Sequence, residues 1–217
     1  MRARRRYDAK AMLQILGRRT SGNVMLPLWA ADELGVDYEQ VDIGGDFGGN
    51  DQPEYLAKNP NGLVPTIDDD GFVLWESNAI TRYLCSKHGM GTLCPENLQQ
   101  RGLAEQWMDW KLAIVMPMMT PIFWGLVRTP EADRDMDSIE RAILRGHKVW
   151  SILDAHLARN EYVAGSTFTM GDIPLGPQIH RWYVLVKEPP ALPHLEAWYE
   201  RLQNRPAFKR HCMNPVV

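Results

Sequence analysis

Short apolar runs alternate with longer amphipathic runs over residues 11–89 of the chain. The runs AMLQIL and YEQVDI predict strands, and NVMLPLWAADEL between them predicts a helix. A strand, a helix and a second strand in succession predict a βαβ unit with parallel strands. Two further apolar runs flank Asp70-Gly71 and predict a hairpin, and SNAITRYLCSKHG predicts a helix that ends at Gly89 as a C′ glycine. These elements predict a small α/β layer of four strands.

The pattern becomes helical after a polar linker over residues 90–98 and stays helical over residues 99–217. Pro117 and Pro121 are expected to kink or break the first long helix. The segment Thr169-Met-Gly-Asp172 predicts a capping box with a structural role. A second long helix is predicted from apolar residues that fall on roughly one face, namely Ile139, Ile143, Trp150, Leu153 and Leu157.

The composition of the 217-residue chain is that of an ordinary globular protein, with 45% hydrophobic residues, 24% charged residues and a formal net charge of −3. This charge gives no reason to expect a nucleic acid or an anionic membrane as a partner. No apolar run is expected to approach the length of a membrane span, and the three cysteines show no metal-ligand spacing. We therefore expect a cytoplasmic protein without a bound metal, and a disordered tail over residues 1–10.

The segment NPNGLVPTIDDDGFVLWESNAITRYL, residues 59–84, has two features that suit an extended, zwitterionic ligand. Pro65 stands at the entrance to a predicted strand, where a cis Val64-Pro65 bond would turn the main-chain N–H and C=O of Val64 outward. Ser77 begins a predicted helix, whose free N–H groups attract a carboxylate, and Glu76 beside it can hold an ammonium group. The simpler alternatives are a turn before a strand and a helix cap.

Together these segments resemble the glutathione S-transferase family. NPNGLVP, the acidic hairpin and WESNAITRYL match its glutathione-site segment, TSGNV matches the start of its first helix, and FTMGDI and LEAWYERLQNRPAF match its helical domain. The resemblance implies an α/β thioredoxin-like N-terminal domain over residues 11–89, an all-α helical C-terminal domain over residues 99–217, and a homodimer. It further implies that Val64 and Pro65 contact the cysteinyl backbone of glutathione, and that Glu76 and Ser77 contact its γ-glutamyl end.

The turn GRRTSGNVMLP, residues 17–27, places small hydroxyl and amide side chains at the start of the first helix, where capping is the simplest interpretation. In the bacterial-type, phi- and theta-like transferases that the chain resembles, a catalytic serine stands at the position of Ser21, fourteen residues before Gly35. Its hydroxyl would donate to the sulfur of glutathione and favour the thiolate, which is the better nucleophile. Thr20 is an alternative donor, and Asn23 can share the role.

The residues that bind the glycyl end of glutathione are less clear from the sequence. Phi-type members carry a His-Lys pair after the second strand, where this chain has Asn50-Asp51, and an aspartate would repel the glycyl carboxylate. Leu63 stands where many members have a glutamine or a basic residue. The holders that we consider are the backbone and Asn50 in this loop, or Arg18 or Arg19 in the preceding turn.

The expected activity is that of a glutathione transferase, which activates its co-substrate glutathione as a thiolate and directs it at a small hydrophobic electrophile, as in detoxification. Met116 and Phe123, in a Met- and Trp-rich helical stretch, are expected to line the pocket for this electrophile. One rival is another glutathione-dependent reaction, such as peroxide reduction, dehalogenation or isomerisation. A second rival is a transferase-like binding or regulatory protein with a degenerate site.

Overall fold

Four short strands form one mixed sheet in the computed structural model, which describes residues 12–217. The strands are β1 (Leu13–Leu16), β2 (Tyr38–Val41), β3 (Thr66–Asp69) and β4 (Phe72–Trp75), in the order β2-β1-β3-β4. β1 runs parallel to β2 and antiparallel to β3, with Ile15 opposite Gln40 and Ile67. The predicted four-stranded layer and its parallel pair are confirmed. The tail expected over residues 1–10 lies outside the described residues.

Two helices cover the sheet through a small apolar core. They are α1 (Met25–Glu33) and α3 (Ser77–His88), and between them lie a 3-10 turn (Gly45–Phe47) and the short α2 (Pro53–Leu56). The core contains Ile15 and Ile67 from the sheet, Leu28 from α1, and Ile80 and Leu84 from α3, all fully buried. This packing joins α1 rigidly to the sheet and to α3.

The turn between β3 and β4 has the conformation that its sequence predicts. Asp70 has φ 55° and Gly71 has φ 85°. Positive φ at both central residues is the signature of a tight hairpin turn, and Asp-Gly is among the residue pairs that adopt it most readily. The predicted hairpin is therefore confirmed.

The second half of the chain is helical. Its helices are α4 (Leu98–Trp110), α5 (Met116–Phe123), α6 (Met136–Leu157), α7 (Gly176–Leu185), α8 (Pro193–Gln203) and α9 (Pro206–Cys212). On α6 the predicted apolar face is buried except at Ile143, which is partly buried. α8 and α9 are separate helices because Pro206 begins a new one.

The prolines of the first long helical stretch do not break it. α4 continues through a π-helical segment, Lys111–Val115, into α5, and a second π-helical segment, Trp124–Arg128, follows α5. Pro117 lies in the first turn of α5, whereas Pro121 lies inside it and removes one backbone hydrogen bond. The expected break is thus absent from Leu98–Arg128, where the helical path is continuous and its hydrogen-bonding register changes on either side of the prolines.

This stretch, Leu98–Arg128, is long and apolar enough to cross a membrane by length and composition alone, with a mean hydropathy of 1.4 over an 18-residue window. The expectation that no run approaches this length is therefore wrong. In the structure one side of the stretch packs into the core of the helical half through Met108, Met118 and Ile122, and Lys111 is fully buried. These contacts are those of a helix in a protein core.

Gly89 ends α3 for a different reason from the predicted one. Its φ of −129° is outside the left-handed region that a C′ glycine occupies. A Cβ on Gly89 would lie 2.5 Å from the Cδ2 of Leu34, which directly follows α1. The close approach of the ends of α1 and α3, rather than the backbone conformation, therefore favours glycine here, since a larger residue would displace the Leu34 side chain.

Two acidic residues at the end of α1 tie the sheet half to the C-terminal helices. Glu33 accepts hydrogen bonds from both Nε and Nη2 of Arg205, at 2.9 and 2.7 Å, and from Nε1 of Trp29 at 2.8 Å. Asp32 accepts a hydrogen bond from Nε2 of His211 at 2.8 Å. These contacts fix the orientation of α1, and with it the turn that precedes α1, relative to the helical half.

Asp172 organises the turn that precedes α7. Its buried carboxylate accepts hydrogen bonds from the main-chain N–H groups of Val163 and Thr169, at 3.0 and 2.9 Å, and from Nε1 of Trp198 at 2.9 Å. Burial raises the pKa of Asp172 to about 6, against the effect of these hydrogen bonds. Because every donor belongs to the protein interior, this capping box serves the fold, as the sequence predicts.

Candidate active site

The turn between β1 and α1 brings Ser21 to the junction of the two halves. The N–H of Arg18 donates to the main-chain oxygen of Ile43 at 3.0 Å, which fixes the turn to the end of β2. The main-chain oxygen of Ser21 accepts from the N–H of Met25 at 3.0 Å, so the helical hydrogen bonding of α1 begins at this serine. Ser21 therefore stands at a helix N-terminus, where the backbone N–H groups favour negative charge.

The hydroxyl of Ser21 does not cap this helix. Across residues 12–217 no hydrogen bond uses the hydroxyl of Ser21 or of Thr20, and α1 has no side-chain cap. Ser21 is partly exposed and lines a cavity of about 130 Å³. The capping interpretation thus fails for this serine, and its hydroxyl is available to a ligand in the cavity.

The cavity lies between the β1–α1 turn and the helical half. Met116 and Phe123, the two residues expected to line an electrophile pocket, both belong to its wall. The apolar part of the wall comes mainly from α5 and the segment after it, which also contribute Thr120 and Arg128. The other polar lining residues come from the turn and from α7. The remaining lining residues are Arg18, Thr20, Gly22, Asn23, Met119, Trp124, Gln178 and Arg181.

The Val64-Pro65 bond is cis, as the sequence predicts. Within residues 12–217 no hydrogen bond involves the main-chain N–H or C=O of Val64. The side chain of Val64 packs beside the turn that carries Ser21, since a Cβ on Gly17 would lie 3.1 Å from the Cβ of Val64. An unpaired main-chain N–H and C=O, just before β3, therefore lie next to the β1–α1 turn.

The chain enters α3 through a strained residue. Glu76 has φ 73° and ψ 114°, a region that residues other than glycine rarely occupy. Its side chain is exposed and Ser77 is buried, and no hydrogen bond within residues 12–217 uses either side chain. Strain of this kind is kept where the surrounding structure needs a particular orientation, often at ligand sites. Here it presents a carboxylate beside the N-terminus of α3.

The loop after β2 uses Asn50 for support. Nδ2 of Asn50 donates to the main-chain oxygen of Gly62 at 2.8 Å, which holds the segment that leads into Val64. Asp51 is exposed, and its carboxylate accepts from Nε2 of Gln52 at 2.9 Å. Neither residue lines the cavity.

Arg18, and not Arg19, lies between this loop and the cavity. A Cβ on Gly45 would lie 3.0 Å from the Cδ and Nε of Arg18, so its side chain runs along the loop while it also lines the cavity. Arg19 is exposed and lies outside the cavity wall. Of the two arginines considered for the glycyl end of glutathione, the geometry favours Arg18.

Lys111 is a buried cation behind the turn. Its Nζ donates to Oδ1 of Asn23 at 3.2 Å, and the residue is fully buried. Burial above all, together with the charge of Arg181, lowers the pKa of Lys111 to about 8, against the opposing effect of the Glu76 charge. Lys111 contacts Asn23 and interacts electrostatically with Glu76, so it links the β1–α1 turn with the start of α3.

The sequence interpretation did not include Lys111, Arg128 or Arg181. A signal for Lys111 was present, because it is the one charged residue in the run WKLAIVMPMMTPIFW. No comparable signal marked the two arginines, which are separated by more than fifty residues of sequence and meet only in the folded chain.

Comparison with known proteins decides the family. A model of the glutathione S-transferase N-terminal domain matches residues 11–86, and a model of the glutathione S-transferase C-terminal domain matches residues 115–206. The chain belongs to the glutathione S-transferase family. Members of this family are transferase enzymes with the thioredoxin-like and helical halves described above, so the predicted family, fold and enzyme class are confirmed.

Similar sequences include bacterial and plant transferases. Glutathione S-transferase GstB of Escherichia coli K12 is 38% identical over 207 residues, which cover 94% of this chain and 100% of the relative. Glutathione S-transferase 3 of Zea mays is 34% identical over 212 residues, which cover 92% of this chain and 93% of the relative.

Among solved structures, the theta class transferase from Xanthomonas axonopodis pv. citri with glutathione bound is 47% identical to this chain, with a TM-score of 0.91. The match covers 94% of this chain and 99% of that one. Glutathione S-transferase I from mais, in complex with an atrazine glutathione conjugate, is 26% identical and has a TM-score of 0.85 over 95% of this chain and 100% of that one. These similarities extend over nearly the whole chain, so the glutathione S-transferase fold is supported by the structure as well as by the sequence motifs.

Proposed function

We propose that this transferase conjugates glutathione to an electrophile and that the Ser21 hydroxyl activates the glutathione thiol. The observation that carries the proposal is the free hydroxyl of Ser21 in the cavity wall at the N-terminus of α1. A cysteine thiol has a pKa of about 8.5, so it is mostly protonated at neutral pH. A hydrogen bond from Ser21 and the helix N-terminus both stabilise the thiolate and lower this pKa. The thiol proton leaves to solvent, and the thiolate attacks the electrophile.

The rest of glutathione fits the groups around this turn. The unpaired main chain of Val64, before cis Pro65, would pair with the cysteinyl backbone. Glu76 would hold the ammonium group of the γ-glutamyl end, and Ser77 with the N-terminus of α3 would hold its carboxylate. The glutathione bound to the Xanthomonas transferase supports glutathione as the co-substrate.

Arg18 is our proposed partner for the glycyl carboxylate, because its side chain lies along the loop after β2 and borders the cavity. Asn50 would act by holding this loop through Gly62. Asn23 would contribute its Nδ2 hydrogens, because its Oδ1 is held by Lys111.

The electrophile would lie on the other side of the sulfur, with its apolar part against Met116 and Phe123. A methionine side chain is flexible and polarizable, so it adapts to ligands of different shape. No group of three His, Cys, Asp or Glu side chains within residues 12–217 is arranged to hold a metal ion. The reaction proposed here needs none.

We also propose a cytoplasmic homodimer. Large apolar side chains are exposed on β4, at Phe72 and Trp75, and on α4, at Leu98 and Leu103. Where such side chains form a contiguous patch, they mark a protein–protein interface. The three cysteines are free, which suits a reducing compartment. Sedimentation analysis of the purified protein would test the dimer.

The activity is tested by measuring conjugation of glutathione to chlorodinitrobenzene. We expect Ser21→Ala to lower kcat by ~10²–10³, the cost of losing one preorganised donor to a developing or existing anion. The affinity for glutathione should change little, and the pKa of the bound thiol, followed by the ultraviolet absorbance of the thiolate, should rise. Ser151→Ala, on the exposed side of α6, is the matched control.

An unchanged rate and an unchanged thiol pKa in Ser21→Ala would reject the role of Ser21. The same measurements on Thr20→Ala then show whether the neighbouring hydroxyl is the donor. If the wild-type protein binds glutathione but conjugates no aryl halide, peroxide reduction or isomerisation by the same thiolate becomes the better proposal.

A further inference from the structure

Among residues 12–217, the side chains that line the cavity beside Ser21 include three guanidinium groups and no carboxylate. Arg18, Arg128 and Arg181 belong to its wall, whereas no Asp or Glu among residues 12–217 does. Positive charges gathered around a cavity raise the local concentration of anions in it. Resting on the conjugation proposed above, we propose that the electrophile carries a carboxylate and that Arg181 and Arg128 bind it.

Arg181 is the better defined of the two groups. The residue is partly buried, and its guanidinium makes no hydrogen bond or ion pair within residues 12–217. Its Cζ lies 4.2 Å from the ring centroid of Phe123, and a Cβ on Gly22 would lie 2.7 Å from its Nη1. The guanidinium is therefore held between the aromatic wall and the residue that follows Ser21, with unused donors beside the proposed sulfur position.

The electrostatic surroundings of Arg181 suit an anion site. Burial above all, together with the charges of Arg128 and Arg18, lowers the pKa of Arg181 to about 10, against an opposing effect of Cys212. A buried charge without a partner is costly, and a bound carboxylate would remove part of that cost. A guanidinium binds a carboxylate in the bidentate geometry that suits both groups.

Arg128 approaches the same ring. Its Cζ lies 5.6 Å from the ring centroid of Phe123, and its Nη2 donates to the main-chain oxygen of Val217 at 3.1 Å. A guanidinium has five N–H donors, so this hydrogen bond leaves others available. An acceptor whose apolar part lies on Phe123 and Met116 would thus have its carboxylate within reach of two cations. Arg18 lies by the loop after β2 and is assigned to glutathione instead.

The reaction itself is an ordinary substitution. The glutathione sulfur forms a bond to the electrophilic carbon, the halide leaves with the pair of electrons from the broken bond, and the thiol proton goes to solvent. The carboxylate takes no part in these steps. Its binding orients the acceptor, and it contributes to the rate only through the position of the reacting carbon.

The test compares two acceptors that differ only in charge: a chlorodinitrobenzoate with its carboxylate para to the chlorine, and the matching benzamide. Each kcat/KM is divided by the rate constant of the uncatalysed reaction with glutathione, because the two chlorides differ in intrinsic reactivity. We expect the corrected preference of the wild-type enzyme for the benzoate to be about tenfold or more, the value of one charged hydrogen bond. The preference should shrink as salt is added.

Variants then assign the preference to residues. We expect Arg181→Met to lower kcat/KM for the benzoate by about 10- to 100-fold and for the benzamide by less than about threefold. Arg128→Met should act in the same direction, and Arg181→Lys should restore part of the loss because it keeps the charge. Arg145→Met, on the exposed side of α6, changes the net charge equally and is the control.

Three results would overturn the inference. One is a wild-type enzyme that shows no corrected preference for the benzoate. Another is an equal loss for both acceptors in Arg181→Met, since that would place Arg181 at the thiolate instead. The third is conjugation of neither acceptor, in which case the proposed function fails as well. Turnover of the benzamide alone rejects the carboxylate site and leaves glutathione conjugation standing.

A second measurement does not depend on turnover. Calorimetric titration of the glutathione-bound enzyme with plain benzoate, which lacks the chlorine, should show binding that Arg181→Met weakens by about tenfold or more. Benzamide should bind equally weakly to both proteins. Equal binding of benzoate and benzamide to the wild-type enzyme would also contradict the proposal.

Discussion

The Nζ of Lys111 lies 3.2 Å from Oδ1 of Asn23, so a fully buried lysine of the helical half holds a residue of the β1–α1 turn 88 positions earlier in the chain. The lysine is placed there by the π-helical segment that follows α4. Departures of this kind from α-helical geometry are frequent at functional sites. The contact couples the turn that carries Ser21 to the wall of the cavity.

This burial predicts a specific pH dependence of stability. Because the pKa of Lys111 is about 8 in the folded protein and 10.5 in the unfolded chain, the unfolded chain binds more protons between these values. Stability therefore rises with pH through this window and is lost as the pH falls towards 8. We expect the free energy of unfolding of the wild type to rise relative to Lys111→Met by about 3 kcal/mol between pH 8 and 10.5.

Urea unfolding of both proteins at a series of pH values measures this difference. Lys148→Met removes the same charge at an exposed position of α6. Its free energy of unfolding, plotted against pH, should run parallel to that of the wild type. A Lys111→Met curve that also runs parallel to the wild type would show that this lysine has an ordinary pKa.

Glu76→Gln tests the proposed ammonium site. The variant keeps the shape of the side chain and removes its charge. We expect weaker glutathione binding with little change in turnover at saturating glutathione, because the contact exists in the ground state and the transition state alike. Binding is measured by calorimetry and turnover by conjugation. Glutathione binding equal to that of the wild type would remove Glu76 from the site.

Ser21→Cys tests whether the turn is aimed at the sulfur of glutathione. A cysteine at this helix N-terminus should have a lowered pKa and form a mixed disulfide with glutathione. We expect the variant to lose conjugation and gain thiol–disulfide exchange with a glutathione-linked disulfide substrate. Exchange no faster than that of the wild type, with its buried cysteines, would mean that the side chain at this position does not reach the sulfur.

Asp51→Lys tests the loop after β2. If the Asp51 carboxylate faces the glycyl carboxylate of glutathione, reversing its charge should tighten binding by up to about fivefold, since exposed pairs contribute at most about 1 kcal/mol. The gain should decrease as salt rises. In the structure the Asp51 side chain is exposed and hydrogen-bonded to the Gln52 side chain. If this is its only role, Asp51→Lys should leave the glutathione affinity unchanged and lower the melting temperature slightly. Tighter binding that salt does not affect would contradict the electrostatic explanation.

Asp172→Ala should destabilise the protein strongly without acting on the site directly. The change leaves the N–H groups of Val163, Thr169 and Trp198 without their acceptor in the interior. Each unsatisfied buried donor costs about 1–3 kcal/mol, so we expect a total loss of at least about 3 kcal/mol in the free energy of unfolding. Chemical denaturation measures it. A loss below about 1 kcal/mol would mean that water or a local rearrangement replaces the carboxylate.

Local sequence patterns were sufficient for most of the fold. The periodicity of apolar residues predicted the strands and the long helices, and Asp70-Gly71 predicted the hairpin, because these features depend on neighbours in the chain. Val64-Pro65 and Glu76-Ser77 were recognisable for the same reason, as the residues of each pair are adjacent. The role of Gly89 as a C′ glycine was predicted wrongly, since what limits this position is the close approach of Leu34, which follows α1.

The composition of the cavity was decided by the tertiary structure. The sequence by itself determined the family, the two halves and the serine of the β1–α1 turn, because short motifs carry each of them. It did not show that Lys111 would meet Asn23, or that Arg128 and Arg181 would flank Phe123, because these pairs depend on how α5 and α7 pack against the turn. Charges that meet across such distances leave no periodic signal in the sequence, so the charge of the pocket is visible only once the helices are in place.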